Sequence, residues 1–221
     1  MSAATCRLQI IFFDTVPNPE QTHSALLNYE GITMAALARS DEHSNKAAMW
    51  TRDPMGCLPT GRLAIDVDSQ ISRALAIAPI TEKLGGVAYL CEGTTPLQPE
   101  FAVGETFAGT LQLCCFQRRA GLTSAQLQQY WLEEHTDIAL NTQNTLGYRQ
   151  NLVTSSGEPH FDGIVEEYFP PEASQSMSAF FADGDNEARM WEHIEQLTKS
   201  SERFLDLDRS EVVHLSDKRI I

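Results

Sequence analysis

The sequence predicts an α+β protein: two tandem ferredoxin-like βαββαβ repeats whose antiparallel sheets pack into one barrel within the chain. Three observations carry this reading. The 221 residues suit two units of about 100–110 residues that share one core. Strand-like and helix-like stretches follow the order βαββαβ twice, the split βαβ arrangement. Between the two passes, Thr94 to Pro99 holds two prolines and no periodicity and reads as a linker. The repeats are placed at residues 1–98 and 99–221.

In the first pass, Cys6 to Asp14 is a β-branched and aromatic run, hence a strand. Asn18 caps a helix that carries Pro19 in its first turn, where the missing N–H costs nothing. That helix is read through Leu26, Leu27, Met34 and Leu37, weakened by Gly31. Lys46 to Arg52 reads as a short strand. A Pro/Gly loop follows, and Arg62 to Val67 alternates as the next strand. Asp68 or Ser69 caps a helix with Ile71, Leu75 and Ala78, ended or bent at Pro79. Gly85-Gly86 stops it, and Val87 to Cys91 completes the unit.

In the second pass, Thr106 to Arg118 is a long strand and Ser124 to Leu140 a helix. Strands follow at Gly147 to Thr154 and Phe161 to Phe169. The helical region Pro171 to Lys199 is broken near Asp183-Gly184. Its second part carries Met190, Trp191, Ile194 and Leu197 at helical spacing. Glu211 to Leu215 is the last strand.

Composition narrows the function. The apolar fraction is 42% and the charged fraction 21%, enough to form a core and to exclude disorder. Collagen-like, coiled-coil and disulfide-scaffold compositions are absent. The formal net charge of −14 speaks against nucleic acid and anionic membranes, which need basic patches. Residues 1–100 hold 11 acidic and 7 basic side chains, residues 101–221 hold 19 and 9, so the acidity concentrates in the second half as a solvated face. No apolar run approaches a membrane span. The first fourteen residues read as a strand and not a signal peptide. Five cysteines, with no Cys-x-x-Cys pair, are read as reduced thiols of a cytoplasmic protein. Adjacent Cys114 and Cys115 point to opposite faces of their strand.

The stretch from Gln117 to Val153 is the most specific. Thr123 and Gln126 fit a capping box, with Leu122 and Leu127 as a hydrophobic staple. Leu127, Tyr130, Trp131 and Ile138 form the apolar stripe. His135, one turn after Trp131, is placed at the stripe's edge. Arg118-Arg119 with Gly121-Leu122-Thr123, then Tyr130-Trp131, His135 and Gly147-Tyr148-Arg149-Gln150-Asn151 follow in order. With the later Asp162 to Glu166 run ending near Tyr168-Phe169, this segment resembles the EthD family of the dimeric α+β barrel superfamily. The resemblance covers roughly residues 106–216. It departs from the family where His-x-Pro-Leu is replaced by His135-Thr136-Asp137-Ile138. The first half lacks the pattern and is read as a degenerate repeat.

The resemblance implies a small-molecule pocket between sheet and helices, used without a cofactor. His135 is then the general acid–base candidate, because imidazole titrates near neutrality; the alternative is a structural His bonded to a carbonyl. Tyr148, Gln150 and Leu152 share one strand face, Arg149, Asn151 and Val153 the other. Tyr148 with Gln150 or Asn151 can hold a substrate oxygen, or Tyr148 can be a core aromatic. Glu166 can orient His135 or form an ion pair with Arg118 or Arg149; Glu167 is read as its solvent-facing neighbour. Tyr130, Trp131 and Arg118 complete the candidate substrate-binding set, with the two aromatics equally readable as core. His160 is read as exposed, and His193 and His214 as isolated, without zinc spacing. Walker A, G-x-G-x-x-G, H-E-x-x-H and G-x-S-x-G motifs are absent.

Three functional expectations follow. The first is a cofactor-independent enzyme of the oxygenase, decarboxylase or cyclase type, working by proton transfer on an apolar or aromatic carbonyl substrate. The second is a non-catalytic small-ligand-binding or accessory protein of a degradation or biosynthetic pathway. The third is a haem-binding barrel, which needs an axial ligand and an apolar slot. A homodimer through the surface left outside the barrel is the expected assembly.

Overall fold

A computed structural model describes residues 5–68, 71–155, 157–181 and 186–221. Eight strands close into one antiparallel barrel in the order β1-β3-β2-β8-β5-β7-β6-β4. The first half supplies β1 (Thr5–Phe12), β2 (Ile32–Arg39), β3 (Gly61–Val67) and β4 (Val87–Leu97). The second supplies β5 (Thr110–Arg118), β6 (Gly147–Ser155), β7 (Gly163–Phe169) and β8 (Leu205–Arg219). The halves are joined at two seams, β2 against β8 and β4 against β6. Closure leaves neither sheet an open edge and gives each inner face the other to pack on.

The helices are α1 (Pro19–Leu26), α2 (Ile71–Ile77), α3 (Thr81–Leu84), α4 (Ser124–Gln128), α5 (Thr136–Thr142), α6 (Met177–Phe180) and α7 (Glu187–Ser201). Asn18 caps α1 as expected, and Gln21 completes a capping box with it. Thr123 and Gln126 form the expected box at α4.

Several first-half elements differ from the sequence reading. The helix from Asn18 ends at Leu26, and Met34 and Leu37 lie in β2. Gly31, at φ 78°, makes the turn between them, a conformation that glycine adopts without a Cβ penalty. Ile32 to Arg39 therefore takes the place assigned to Lys46–Arg52, which is covered by a 3₁₀ segment at Ser44–Trp50 and a single bridge from Arg52 to Val212. In α2 the buried residues are Ala74 and Ile77, while Ile71 and Leu75 are exposed. Pro79 ends α2 in a 3₁₀ turn, and Gly85 follows α3. Thr94 to Leu97 is not a linker: β4 continues through it and pairs with β6. The halves meet between Leu97 and Thr110. Two expected features, Ser69 as a cap and the break at Asp183-Gly184, lie outside the described residues.

In the second half β5 and β7 start later than expected, and β8 is far longer, fifteen residues from Leu205. Cys115 packs in the barrel and Cys114 under the helices, so the pair does face both ways. All five cysteines are free. Trp131 stacks edge-on with Phe116 at 4.9 Å directly over Gly163. A Cβ at Gly163 would come within 2.8 Å of the Trp131 ring and closer still to Phe116. Gly163→Ala is expected to cost about 1–3 kcal/mol through overpacking, read by urea unfolding; an unchanged midpoint would show that the helix can lift off this strand.

Candidate functional site

The helix over the second sheet is interrupted. Residues Gln129–His135, between α4 and α5, form a π-helical segment. A π turn holds more residues than an α turn, and such insertions concentrate at functional sites. Here it carries the buried seam along Leu127, Trp131, His135 and Ala139, four residues apart each time. An unbroken α-helix would have let that spacing drift off the face. His135 is thus swung beneath the helix, not left at the edge of its stripe, and Ile138 is only half-buried.

Beneath the helix, the His135 Nδ1 pairs with the Ser200 hydroxyl of α7 at 2.8 Å, and its ring packs edge-on against Phe204 at 4.9 Å. Burial lowers the imidazole to about 4. A neutral imidazole at pH 7 pairs with a side-chain hydroxyl, where the structural alternative expected a backbone carbonyl.

Strand alternation sorts the other candidates as expected. Tyr148, Gln150 and Leu152 face the helices, while Arg149, Asn151 and Val153 face the barrel interior. The Tyr148 phenol oxygen accepts N–H bonds from Trp131 Nε1 at 3.3 Å and Gln150 Nε2 at 3.2 Å. Burial pushes the phenol well above its ordinary range, with the Glu167 charge adding to the rise and both hydrogen bonds opposing it. Gln150 also donates to the Trp131 carbonyl and the Thr136 hydroxyl, and its Oε1 accepts from Thr94. One amide thus ties the π segment to β4 and β6.

Gln150 also forms part of a cleft of about 680 Å³. Thr94, Thr95 and Pro96 of β4 make one wall; Gln128, Leu132, Glu133, Thr136 and Asp137 make the other. A second groove, about 1060 Å³, lies in the first half between the end of β1, α1 and Gly85-Gly86. Its charged groups Asp14, Glu20 and Lys83 are exposed, and none of the sequence candidates lines it.

Glu166 and Asn151 are not at the cleft. They lie inside the barrel, in a charge network that knits the halves together. Glu166 meets Arg62 at 2.7 Å and Arg149 at 3.5 Å, and its Oε2 accepts from Gln9 and Asn151. Asp66 bridges Arg7 and Arg149, and Asp217 pairs with Arg62 and accepts from Tyr168. Burial works to raise Glu166, but Arg62, Arg149 and Arg7 outweigh it and bring the carboxyl down to about 2. Glu166 is ionised at pH 7 and faces the barrel interior, away from His135. Arg118 instead meets Asp162 at 3.6 Å and donates to Ser124 at the end of β5. Tyr130 lies outside, its ring under the Arg203 guanidinium at 4.3 Å.

One polar group was misread from the sequence. Glu167 does not face solvent; it is 7% exposed and lies under the helices. It belongs to a lateral row across four strands, Tyr148–Glu167–Gln112–His214, each the register partner of the next. Gln112 Nε2 donates to Glu167 Oε2 at 3.0 Å; Gln112 Oε1 pairs with His214 Nε2 at 3.2 Å; His214 Nδ1 pairs with Thr110 at 3.1 Å. Burial pushes the Glu167 carboxyl up to about 7 against the Gln112 bond, and lowers His214 to about 4. The clue was present: Gln112, Glu167 and His214 are polar residues at alternate positions of three strands. Only the register showed that they align. Among the described residues, no group of three or more His, Cys, Asp or Glu is placed to hold a metal.

No family model matches this sequence, and no curated protein matches it. Among solved structures, one described as an anthrone oxidase-like protein aligns with 99% of this chain and 94% of its own, at TM-score 0.56 and 8% identity. The fold is that of an α+β barrel. A candidate monooxygenase from Fusobacterium nucleatum subsp. nucleatum aligns with 100% of this chain and 94% of its own, at TM-score 0.48 and 9% identity. At 8% identity the first likeness is one of architecture, and it agrees with the barrel expected from the sequence. No helix among the described residues is long and apolar enough to cross a membrane.

Proposed function

We propose that the second half of this barrel is an EthD-like small-molecule site, where an uncharged cyclic or aromatic carbonyl compound is bound for cofactor-independent proton transfer. The observation that carries the reading is the Tyr148 phenol. Its oxygen takes two N–H donors, from Trp131 and Gln150, and among the described residues no acceptor takes its own hydrogen. Gln150 links this phenol to the cleft. A carbonyl oxygen that takes the place of the Thr136 hydroxyl on the Gln150 amide would sit at the cleft wall, with the buried Tyr148 phenol bonded to the same amide from behind. Leu132 and Pro96 supply apolar surface, while Glu133 and Asp137 make the rim acidic, which disfavours anionic ligands. The anthrone oxidase-like protein with the same architecture is named for a ligand of this class.

His135 and Glu166 have no part in this reading as reacting groups. A purely ligand-binding role is the second reading, favoured by the locking of His135 to Ser200. A haem fits poorly, because the cleft lining contains no His, Cys, Met or Tyr to serve as an axial ligand.

The test is binding of 2-tetralone, an uncharged bicyclic ketone, followed by ligand-observed NMR. Wild type is expected to bind it, and Gln150→Leu to weaken binding about tenfold, the equivalent of about 1.4 kcal/mol. Unchanged affinity in the variant would move the site away from this cleft.

A further inference from the structure

The two halves put a phenylalanine at the same point of their sheets but cover it differently. Phe12 pairs with Gly61 across β1 and β3, and Phe116 with Gly163 across β5 and β7. Each phenylalanine faces the helices of its own half. Over Phe116 the space is filled by two buried rings, Trp131 at 4.9 Å and Phe204 at 5.7 Å. In the first half neither ring has a counterpart. Counted from the caps at Asn18 and Thr123, Leu26 stands where Trp131 stands. The chain enters β8 through Phe204 but enters β4 through Gly86. Gly86 has φ 81°, and a Cβ on it would lie 2.9 Å from the Phe12 ring and 2.8 Å from Ile10, so a side chain is excluded there.

The first-half groove of about 1060 Å³ opens at this place. Phe12 and Phe13 line it from the sheet, Ser24 and Ala25 from α1, and Leu84 from α3. The corresponding opening of the second half, between the end of β5 and the start of β8, is about 380 Å³, with Arg119 bonded to the Glu202 carbonyl at its wall. The larger volume is that of a small-molecule site and the smaller one is near the lower limit. Asp14, Glu20 and Lys83 stand on the rim of the larger groove, exposed, and among the described residues none of them is in an ion pair. Two carboxylates against one ammonium leave the rim negative.

We infer that this groove binds a flat aromatic molecule carrying a primary amine. Its ring takes the place that Trp131 and Phe204 fill in the other half, against Phe12, Phe13 and Leu84. Its ammonium is held at the rim by Asp14 and Glu20, close to aromatic faces that also attract a cation. None of the residues of the cleft beside Gln150 takes part, so a site in this groove does not depend on that cleft binding a ketone. Because the rim carboxylates are exposed, their share of the affinity is modest and falls with added salt.

The experiment is a titration of the full ¹⁵N-labelled chain with tryptamine at low salt, followed by backbone amide NMR. The Gly85 and Gly86 signals are expected to shift and saturate, and the Gln150 signal to stay in place. 3-Methylindole, the same ring without the amine, is expected to bind about fivefold more weakly, and the anionic indole-3-acetate more weakly still. The double variant Asp14→Asn, Glu20→Gln is expected to bring tryptamine within about twofold of 3-methylindole. Ser24→Trp sets an indole into the groove from an exposed helix position and is expected to weaken tryptamine binding at least about tenfold, with the remaining amide spectrum retained. No saturating shift at Gly85 and Gly86, or saturation at Gln150 instead, overturns the site. Tryptamine affinity unchanged in Ser24→Trp also overturns it. Indole-3-acetate bound as tightly as tryptamine, or a preference for the amine that survives the double variant, overturns the assignment of Asp14 and Glu20.

Discussion

Glu166→Gln is expected to destabilise the protein by about 3–5 kcal/mol at pH 7, the cost of leaving buried charges without their partner. Glu166 is the anion between Arg62 and Arg149, all three buried inside the barrel. The amide keeps the shape and some of the hydrogen bonding, but it removes the charge that two guanidinium groups were matched to. Urea unfolding checks this, with the slope unchanged and the midpoint lowered; a loss below about 1 kcal/mol would show that the remaining carboxylates, Asp66 and Asp217, redistribute to cover both arginines. The pH dependence has a definite sign. A carboxyl held at about 2 in the folded state, below its ordinary 4.5, contributes stability that is full above 4.5 and lost as pH falls toward 2. The gap between wild type and variant should close over that acid window.

Glu167→Gln is expected to do the opposite, although the two glutamates are adjacent. A carboxyl raised from 4.5 to about 7 by burial favours its protonated form in the folded state. Its contribution is fully present below 4.5 and lost as pH rises through 7. The variant cannot ionise. Wild type and variant should therefore match near pH 4, and the variant should be the more stable by up to roughly 3 kcal/mol at pH 8. Calorimetric melting at both pH values checks it. A variant less stable than wild type at pH 8 would mean that the ionised carboxylate has a compensating partner.

These two neighbours show how far the sequence could be read. That Glu166 and Glu167 face opposite ways was legible, since strand geometry alternates with period two. Which of them meets a cation was not. The partners of Glu166 come from β1, β3 and β6, and Gln9 lies 157 residues away in the chain. The partner of Glu167 lies on β5, 55 residues back. Those distances are set by barrel closure and strand register, which no local pattern records. The same holds for His135. The stripe of apolar residues was visible, but the π segment that rotates His135 beneath it is a single irregular turn with no marker in composition.

By itself the sequence determined the element order, both capping boxes' leading residues, the faces of β6 and the opposed orientation of Cys114 and Cys115. All are local: a turn's φ, a cap's hydrogen bond, or a strand's alternation is decided within a few residues. Only the tertiary structure decided that β4 runs through the supposed linker, that a charge network lies inside the barrel, and that Tyr148, Glu167, Gln112 and His214 lie in one row. The physical reason is burial. A carboxyl's charge, and so its chemistry, depends on what closes over it, and the groups that close over these two carboxyls come from strands far apart in the chain.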